Sequence, residues 1–420
     1  MQSTHDACCG FDDVRMRGFR ERATVERAWG WLDQRTVSLP ATNIVISEAS
    51  GRVLASDVIA QLDVPPFDRS AMDGFALRGA ETTGAGDYNP LKLRIVGQSL
   101  PGNPFRGELL PGMATRIMTG APLPIGADAV LPAEFASEVG EFVEFTTAVA
   151  PGRNVGRRGE DVVAGRVILE GGRRLRPQDV GLLASIGHSA VSVVKRPRVR
   201  VLATGNELAV PGESRDPFQI YDSNSITLRA LIERDGGDIE SMQLLSDDRQ
   251  LIKSAMTAPG ADIILISGGS SVGAEDHAPG VLAEVGQLPI HGVAMRPSSP
   301  AGIGHIGDVL VFLLPGNPVS CLCAYDFFAG RAIRRLGGRS TDWPYVRQRA
   351  IVGSKIVSAV GRVDYCRVRI ESGRIEPIST SGASILSSTT RATGFVIVPA
   401  ELEGYGPGAD VEVFLYDGMC

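Results

Sequence analysis

Residues 261–276 read ADIILISGGSSVGAED. Ile263 to Ile266 form a short, fully apolar, β-branched run of the kind a strand needs when both of its faces are buried. The run stops at Gly268 and Gly269, passes Ser270, Ser271 and Gly273, and reaches Glu275 and Asp276. Glycine permits positive φ and lets a ligand approach the backbone, and bare N–H groups at such a turn attract phosphates and oxyanions. The stretch predicts a buried strand that delivers an anion cradle with carboxylates just beyond it.

The same signature occurs twice more. RVRVLATGNEL (198–208) is a buried run that enters a turn at Thr204 and Gly205, with Glu207 behind it, and DVLVFLLPGNPVS (308–320) enters one at Pro315 and Gly316. Helical patterns lie between and after these runs. SNSITLRALIERDGG (223–237) places Ile226, Leu228, Leu231 and Ile232 for burial and stops at Gly236 and Gly237; DDRQLIKSAMTAPG (247–260) is a second helix and PVSCLCAYDFFAGRAIRRLGG (318–338) a long third. Strands alternating with helices predict a parallel, doubly wound α/β sheet. Parallel strands end at one edge, so the three loops converge where open α/β sheets bind ligands.

Asn317 is placed to cap the helix that follows and Pro318 to occupy its first position, which aims that helix's positive end at the same edge. Glu207, Glu275 and Asp276 fall near it. Carboxylates beside a phosphate cradle suit a hard cation such as Mg²⁺, which takes oxygen ligands from protein and phosphate together. Ordinary strand-to-helix turns use the same glycines, but turn formation alone does not require acids to cluster there.

Outside this section the texture differs. Residues 1–20 read as a loose tail. From Thr24, a plausible N-cap, Val25, Ala28, Trp29 and Leu32 recur at helical spacing. Residues 55–150 read as short strands broken by turns, a small β-rich module, and RPQDVGLLASIG (176–187) as a helix. After Gly338 short strands and turns return, which fits a small C-terminal β-barrel.

The 420 residues carry 42 Lys and Arg against 48 Asp and Glu, a net charge of -6, so the long-range pull on nucleic acid or an anionic membrane is missing. Any anion must be held locally. The apolar runs IILIS and VLVFLL fall far short of the roughly 20 residues a bilayer span requires, and the first residues show no apolar secretory core, which predicts a cytoplasmic protein. Six cysteines, at 8, 9, 321, 323, 366 and 420, lack zinc or disulfide spacing; Cys321 and Cys323 sit in an apolar helical pattern as small hydrophobes, and Cys8 and Cys9 read as incidental thiols. The five histidines show no ligand spacing.

Seven ordered segments now carry a resemblance. PPFDRSAMDGFALR, RIMTGAPLPIGADAV, VGRRGEDV, LATGNEL, IYDSN, SGGSSVGAED and LPGNPVS follow one another as in the molybdopterin molybdenumtransferase family, and the likeness covers about residues 21–418. The resemblance implies an elongated helical and strand domain (21–52 and 150–188), an inserted β-rich module (53–149), an α/β molybdopterin-binding domain (189–338) and a β-barrel (339–420). It also implies a homodimer, with other cofactor-assembly proteins as further candidate partners. The activity it implies is transfer of molybdate into adenylylated molybdopterin, with Mg²⁺-dependent release of AMP.

Residue by residue, Asp276 and Glu207 resemble the acids that hold Mg²⁺ or polarise the pyrophosphate, and Asp68 and Thr119 the positions contributed across the dimer. The cofactor-binding set is Thr204, Gly205, Gly268, Gly269, Ser271, Gly273, Arg296, Pro315, Gly316, Asn317, Pro318 and Ser320, with Pro315 and Pro318 shaping the pterin-side wall. Arg367 of GRVDYCRVRI and Ser387 of SILSSTTRATG resemble a molybdate-binding pair. One departure stands out. The family commonly carries KPGKP where this chain has Arg296-Pro297-Ser298-Ser299-Pro300, so one positive charge is kept and the second lysine is Ser299. A neutral hydroxyl donates a weaker hydrogen bond than a cation does. Two alternatives stay open: a molybdopterin carrier or adenylylating domain, and a catalytically idle dimeric scaffold, for which clustered carboxylates would have no chemical purpose.

Overall fold

The computed structural model describes residues 21–269, 276–379 and 382–416. The chain forms two compact units, one of Asn43–Val193 and one that combines the N-terminal segment to Thr42 with everything from Val194 onward.

The second unit holds the predicted α/β layer. Its six-stranded sheet is built from β1 (Arg198–Thr204), β2 (Asp238–Leu245), β3 (Ile263–Ser267), β4 (Gln287–His291), β5 (Gly302–Ile306) and β6 (Val309–Leu314), in the spatial order β2-β1-β3-β6-β5-β4. The neighbouring pairs among β2, β1, β3 and β6 are parallel, whereas β5 is antiparallel to β6 and β4 to β5. The antiparallel pair at this edge is a feature that the alternating strand and helix pattern did not predict. QLPIH and GIGHI are short and carry prolines, glycines or histidines in place of a β-branched run.

The side chains of the central strands alternate between two cores, as the two-residue period of a strand requires. Val199, Val201, Ile263, Leu265, Leu310 and Phe312 face one core with α1 (Val25–Arg35) and α2 (Asn224–Asp235). Leu202, Ile264, Ile266, Val311 and Leu313 face the other with α3 (Arg249–Thr257) and α4 (Ala278–Val285). Helices therefore cover both faces. Thr24 caps α1 by accepting the Arg27 N–H, and Gly236 ends α2 at φ 87°. On α2, Leu228 and Ile232 are buried and Leu231 is half-buried, but Ile226 is 58% exposed, against the expectation of burial. Ser225, Leu228, Ile232 and Asp235 form the buried stripe, and Ile226 stands one residue off it.

The long third helix has a break in its register. α5 (Pro318–Ala324) passes through a π-helical turn, Tyr325–Ala329, into α6 (Gly330–Leu336). The turn places Asp326 in the core, fully buried, where the Arg234 guanidinium lies 2.8 Å from it and the Tyr345 hydroxyl donates at 2.9 Å. Asp235, also fully buried, lies 2.9 Å from Arg234 and 3.0 Å from Arg334. Burial alone would lower the pKa of Arg234, but Asp326, Tyr345 and Asp235 outweigh it and push it up.

Tyr345 leads into the C-terminal strands β7 (Val346–Val352), β8 (Val363–Glu371), β9 (Arg374–Ser379), β10 (Gly394–Val398) and β11 (Asp410–Leu415). Their pairings run β8-β9-β7-β11-β10 and return from β10 to β8, a ring around Val352, Val368, Ile375, Val396 and Val413. A two-residue strand, Met295–Arg296, joins the ring in parallel with β8, setting Arg296 opposite Asp364. Trp29, Phe327, Trp343, Phe395 and Phe414 stack edge to face or face to face between the helices and the ring.

In the other unit a second six-stranded sheet contains Gly74–Leu77, Leu91–Ser99, Met113–Ile117, Ala129–Pro132, Ala136–Val139 and Phe142–Phe145, and a helix spans Pro177–Ser185. Both elements were expected from the sequence. No helix among the described residues is long and apolar enough to cross a membrane.

Removing Asp326 leaves Arg234 and Arg334 sharing Asp235 alone, one buried positive charge in excess, so Asp326→Asn is expected to lower unfolding stability by about 3–5 kcal/mol. Chemical denaturation of the two proteins measures the difference.

Candidate functional site

The turns after β1, β3 and β6 do meet at one edge of the sheet. They line a cavity of about 790 Å³ together with the start of α2. Contact between the turns is backbone to backbone. A Cβ on Gly268, whose φ is +95°, would lie 2.2 Å from the Thr204 carbonyl oxygen, and one on Gly316 would lie 3.6 Å from the Gly268 Cα. Glycine at 268 is thus dictated twice, by its left-handed conformation and by its neighbour. Asn224 ties two of the turns together, its side-chain amide donating to the Ser267 hydroxyl and to the Gly316 carbonyl, each at 2.8 Å.

Among the described residues, four carboxylates line this cavity: Glu207, Asp222, Asp247 and Asp276. Asp222 accepts the Ser225 N–H at 3.0 Å and Asp247 the Asn206 N–H at 3.0 Å, so these two also shape the local backbone. No Lys or Arg is among the described residues that line it. Beneath the turn, the Thr204 hydroxyl is buried with no hydrogen-bond partner among the described residues, and a Cβ on Gly269 would sit 2.9 Å from it. The described residues contain no ready-made group of three His, Cys, Asp or Glu ligands. The donor set is nevertheless all oxygen, with two acids, Glu207 and Asp276, beside the glycine turn. It fits a divalent cation whose shell is completed by substrate and water.

A second cavity, also of about 790 Å³, has the opposite chemistry. It lies between the loop Arg296–Pro300, the turn at Pro315 and the start of the ring, and Arg22, Arg296, Arg362 and Arg367 line it, with no acid among its described lining residues. Asn317 lines both cavities, so the two adjoin at the Pro315–Pro318 turn. Asn317 sits at the helix N-cap as expected, with Pro318 at the first position and its carbonyl accepting the first intrahelical bond from Cys321 N–H, but its side chain makes no capping bond.

Most sequence-derived candidates fall on these two walls. Thr204, Gly205, Glu207, Gly268, Gly269, Asp276, Gly316 and Pro318 line the acidic cavity, and Arg296, Pro315, Ser320 and Arg367 the basic one. Ser271 and Gly273 lie outside the described residues, as do Glu275, Cys8, Cys9 and Cys420. Arg367 is 1% exposed and so is not a surface arginine. Ser387 begins a four-residue helix and does not line the cavity that Arg367 lines. Cys321 and Cys323 are buried as expected, and burial pushes the Cys321 thiol up to about 12. Sequence reading assigned no role to Asp222, Asn224, Asp247, Arg362 or Asp364, although IYDSN and GRVDYC were in view.

Asp68 and Thr119 belong to the other unit, where three of the quoted segments converge. Asp68 accepts the Arg158 N–H and the Arg157 guanidinium, each at 2.8 Å, joining PPFD to GRRGED. Asp73 accepts both the N–H and the hydroxyl of Thr119 at 2.7 Å, which fixes the MTGAP turn.

Comparison with known proteins agrees with this architecture along the chain. Residues 23–187 match the MoeA N-terminal region (domain I and II), residues 200–335 a probable molybdopterin binding domain, and residues 349–416 the MoeA C-terminal region (domain IV). The chain belongs to the molybdopterin molybdenumtransferase (MoeA) family. A putative molybdopterin biosynthesis protein of Methanocaldococcus jannaschii is 33% identical over 94% of this chain and 96% of its own length. A molybdopterin molybdenumtransferase of Haemophilus influenzae is 34% identical over 88% and 92%. The crystal structure of a molybdopterin biosynthesis MoeA protein from Pyrococcus horikoshii superimposes with a TM-score of 0.81 at 32% identity, covering 95% of this chain and all of that one.

Two outcomes are expected. Gly268→Ala forces strain at a left-handed position against a carbonyl, which should cost on the order of 3 kcal/mol in denaturation. For Asp68, the Arg158 N–H is the largest influence, partial burial opposes it, Arg157 adds to it, and the net effect holds the carboxyl below its usual range. Its stabilisation is complete above the unfolded value of about 3.9 and is lost as pH falls through the lower folded value. Asp68→Asn should therefore flatten the acid side of the stability profile below about pH 4, as measured by thermal midpoints across pH.

Proposed function

We propose that this protein is a molybdopterin molybdenumtransferase that accepts adenylylated molybdopterin and molybdate and releases AMP. The observation that carries the reading is the pair of adjoining cavities, one lined by carboxylates and glycine turns, the other by arginines, with Asn317 on both walls. A substrate whose phosphates need an acid-held cation and a co-substrate that is a tetrahedral oxyanion require that division of labour.

In this reading the turns at Thr204–Gly205 and Gly268–Gly269 bind the pyrophosphate through backbone N–H groups. Asn224 keeps the turns in register, and Pro315 and Pro318 hold the pterin against the other wall. Glu207 and Asp276 would hold Mg²⁺, which neutralises phosphate charge and eases departure of AMP. Arg296 and Arg367 orient molybdate toward the dithiolene, and Ser387 is assigned a supporting role there by resemblance alone. Asp68 and Thr119 are assigned to the site of the other protomer in a cytoplasmic homodimer. The doubly wound α/β domain (189–338), the terminal barrel (339–420), the inserted module (53–149) and the discontinuous domain (21–52 and 150–188) are the divisions that accompany this reading.

Purified protein incubated with adenylylated molybdopterin, Mg²⁺ and molybdate should release AMP at a rate that depends on molybdate. Asp276→Ala is expected to reduce that rate at least a hundredfold and Glu207→Gln at least tenfold, with folding unchanged by circular dichroism. Tight binding of the nucleotide without AMP release in the unaltered protein would replace this reading with that of a carrier.

A further inference from the structure

The arginine-lined cavity contains a device that the transferase reading does not use. Asp364, 1% exposed, stands on β8 directly opposite Arg296 in the parallel pairing with Met295–Arg296, and it forms an ion pair with the Arg296 guanidinium. The Arg362 guanidinium lies 3.0 Å from the same carboxylate, and the Ser358 hydroxyl donates to it at 2.9 Å. Arg296 and Arg362 both line the cavity, and about a third of each side chain is exposed, 31% and 35%. Two guanidiniums on one buried carboxylate leave a positive charge in excess. The carboxylate holds both side chains at the cavity, Arg362 by an ion pair through its Nε, which lowers the entropy lost when an anion is gripped.

The loop facing this pair is equally constrained. Ser298 has φ 88°, rare for a residue with a side chain, and its hydroxyl donates to the Ser320 carbonyl, so it is committed to the loop. Ser299 lines the same cavity, and its hydroxyl oxygen is buried with no hydrogen-bond partner among the described residues. A neutral donor thus occupies the position where the resemblance implies a second lysine, while a cation held by Asp364 reaches the cavity from the ring.

We propose that Arg362 is an oxyanion-binding residue of this cavity, that Asp364 is the positioning residue for Arg362 and Arg296, and that Arg362 supplies the charge which Ser299 lacks. The assignment deepens the transferase reading and rests on it for the choice of molybdate as the anion. The cavity then grips a tetrahedral dianion between guanidiniums from two segments, Arg296 from the α/β section and Arg362 from the ring, with the Ser299 hydroxyl as a neutral third donor. A bidentate guanidinium fork can grip two oxygens of such an anion at once.

The test is equilibrium binding of molybdate by calorimetry, with AMP binding in the neighbouring cavity as the control for folding. Arg362→Gln is expected to weaken molybdate at least tenfold and to leave AMP within twofold. Adding Ser299→Lys to Arg362→Gln should restore molybdate affinity to within about threefold, a recovery that a merely structural arginine would not show. Asp364→Asn should weaken molybdate as much as Arg362→Gln does, and Asp364→Glu should recover part of the loss. Unchanged molybdate binding in Arg362→Gln, or a loss that Ser299→Lys does not repair while AMP still binds, overturns the proposal. Molybdate binding with this mutational pattern but without AMP release leaves the proposal standing and rejects the transferase reading. AMP release with no effect of Arg362→Gln on molybdate does the reverse.

Discussion

Everything at the edge of the sheet where the glycine turns meet depends on three neighbouring parallel strands ending at nearly the same level. β1, β3 and β6 are in continuous register, Ala203 beside Ser267 and Ser267 beside Leu314, so the three strands end within one residue of each other. Only then can Gly268 lie against the Thr204 carbonyl and Gly316 against the Gly268 Cα. A side chain at 268 would push the turns apart, and with them the backbone amides that form the cradle. Two of the carboxylates follow from this packing, because Glu207 and Asp247 each sit two or three residues beyond a strand end that the sheet has already placed.

The second constraint is the joining of the α/β section to the C-terminal ring. Three kinds of interaction act there at once: a strand pairing at Met295–Arg296, a stack of aromatic rings from Trp29 to Phe414, and the buried charges around Asp326. The aromatic stack supplies area, which is non-directional. The charges and the pairing supply geometry, since a buried carboxylate tolerates few arrangements of its partners. The basic cavity lies along this seam and draws its arginines from both sides of it.

Local signals in the sequence revealed the features that depend on local chemistry. Thr24 as a cap, Gly236 as a helix stop, the glycine turns after three buried runs and the burial of Cys321 and Cys323 all rest on residues close together in the chain. Convergence of the turns was also readable, because parallel strands leave no other arrangement. What escaped notice depends on partners far away. Asp364 reads as one acid among alternating residues until β8 is paired with Arg296, 68 positions earlier. Asn224 reads as the first residue of a helix until Ser267 and Gly316 arrive beside it. The π-helical turn has no composition of its own, and Ile226 misled because its apolarity outweighed its place one step off the buried stripe.

The pairing of Arg296 with Asp364 has a consequence for how such chains can diverge. Side chains on a strand alternate between faces, so a slip of one residue would set Met295 against the buried carboxylate and turn the guanidinium to the opposite side. A one-residue change in the length of the spans that lead into the two strands, from His291 to Met295 and from Ser358 to Val363, would break that match, whereas a substitution that spares Val293, Met295, Ser358 and Arg362 would leave it intact. Insertions and deletions there should be far rarer than substitutions across natural variants, and a lineage that lost the arginine on one strand could regain a cation only from a position of the same parity.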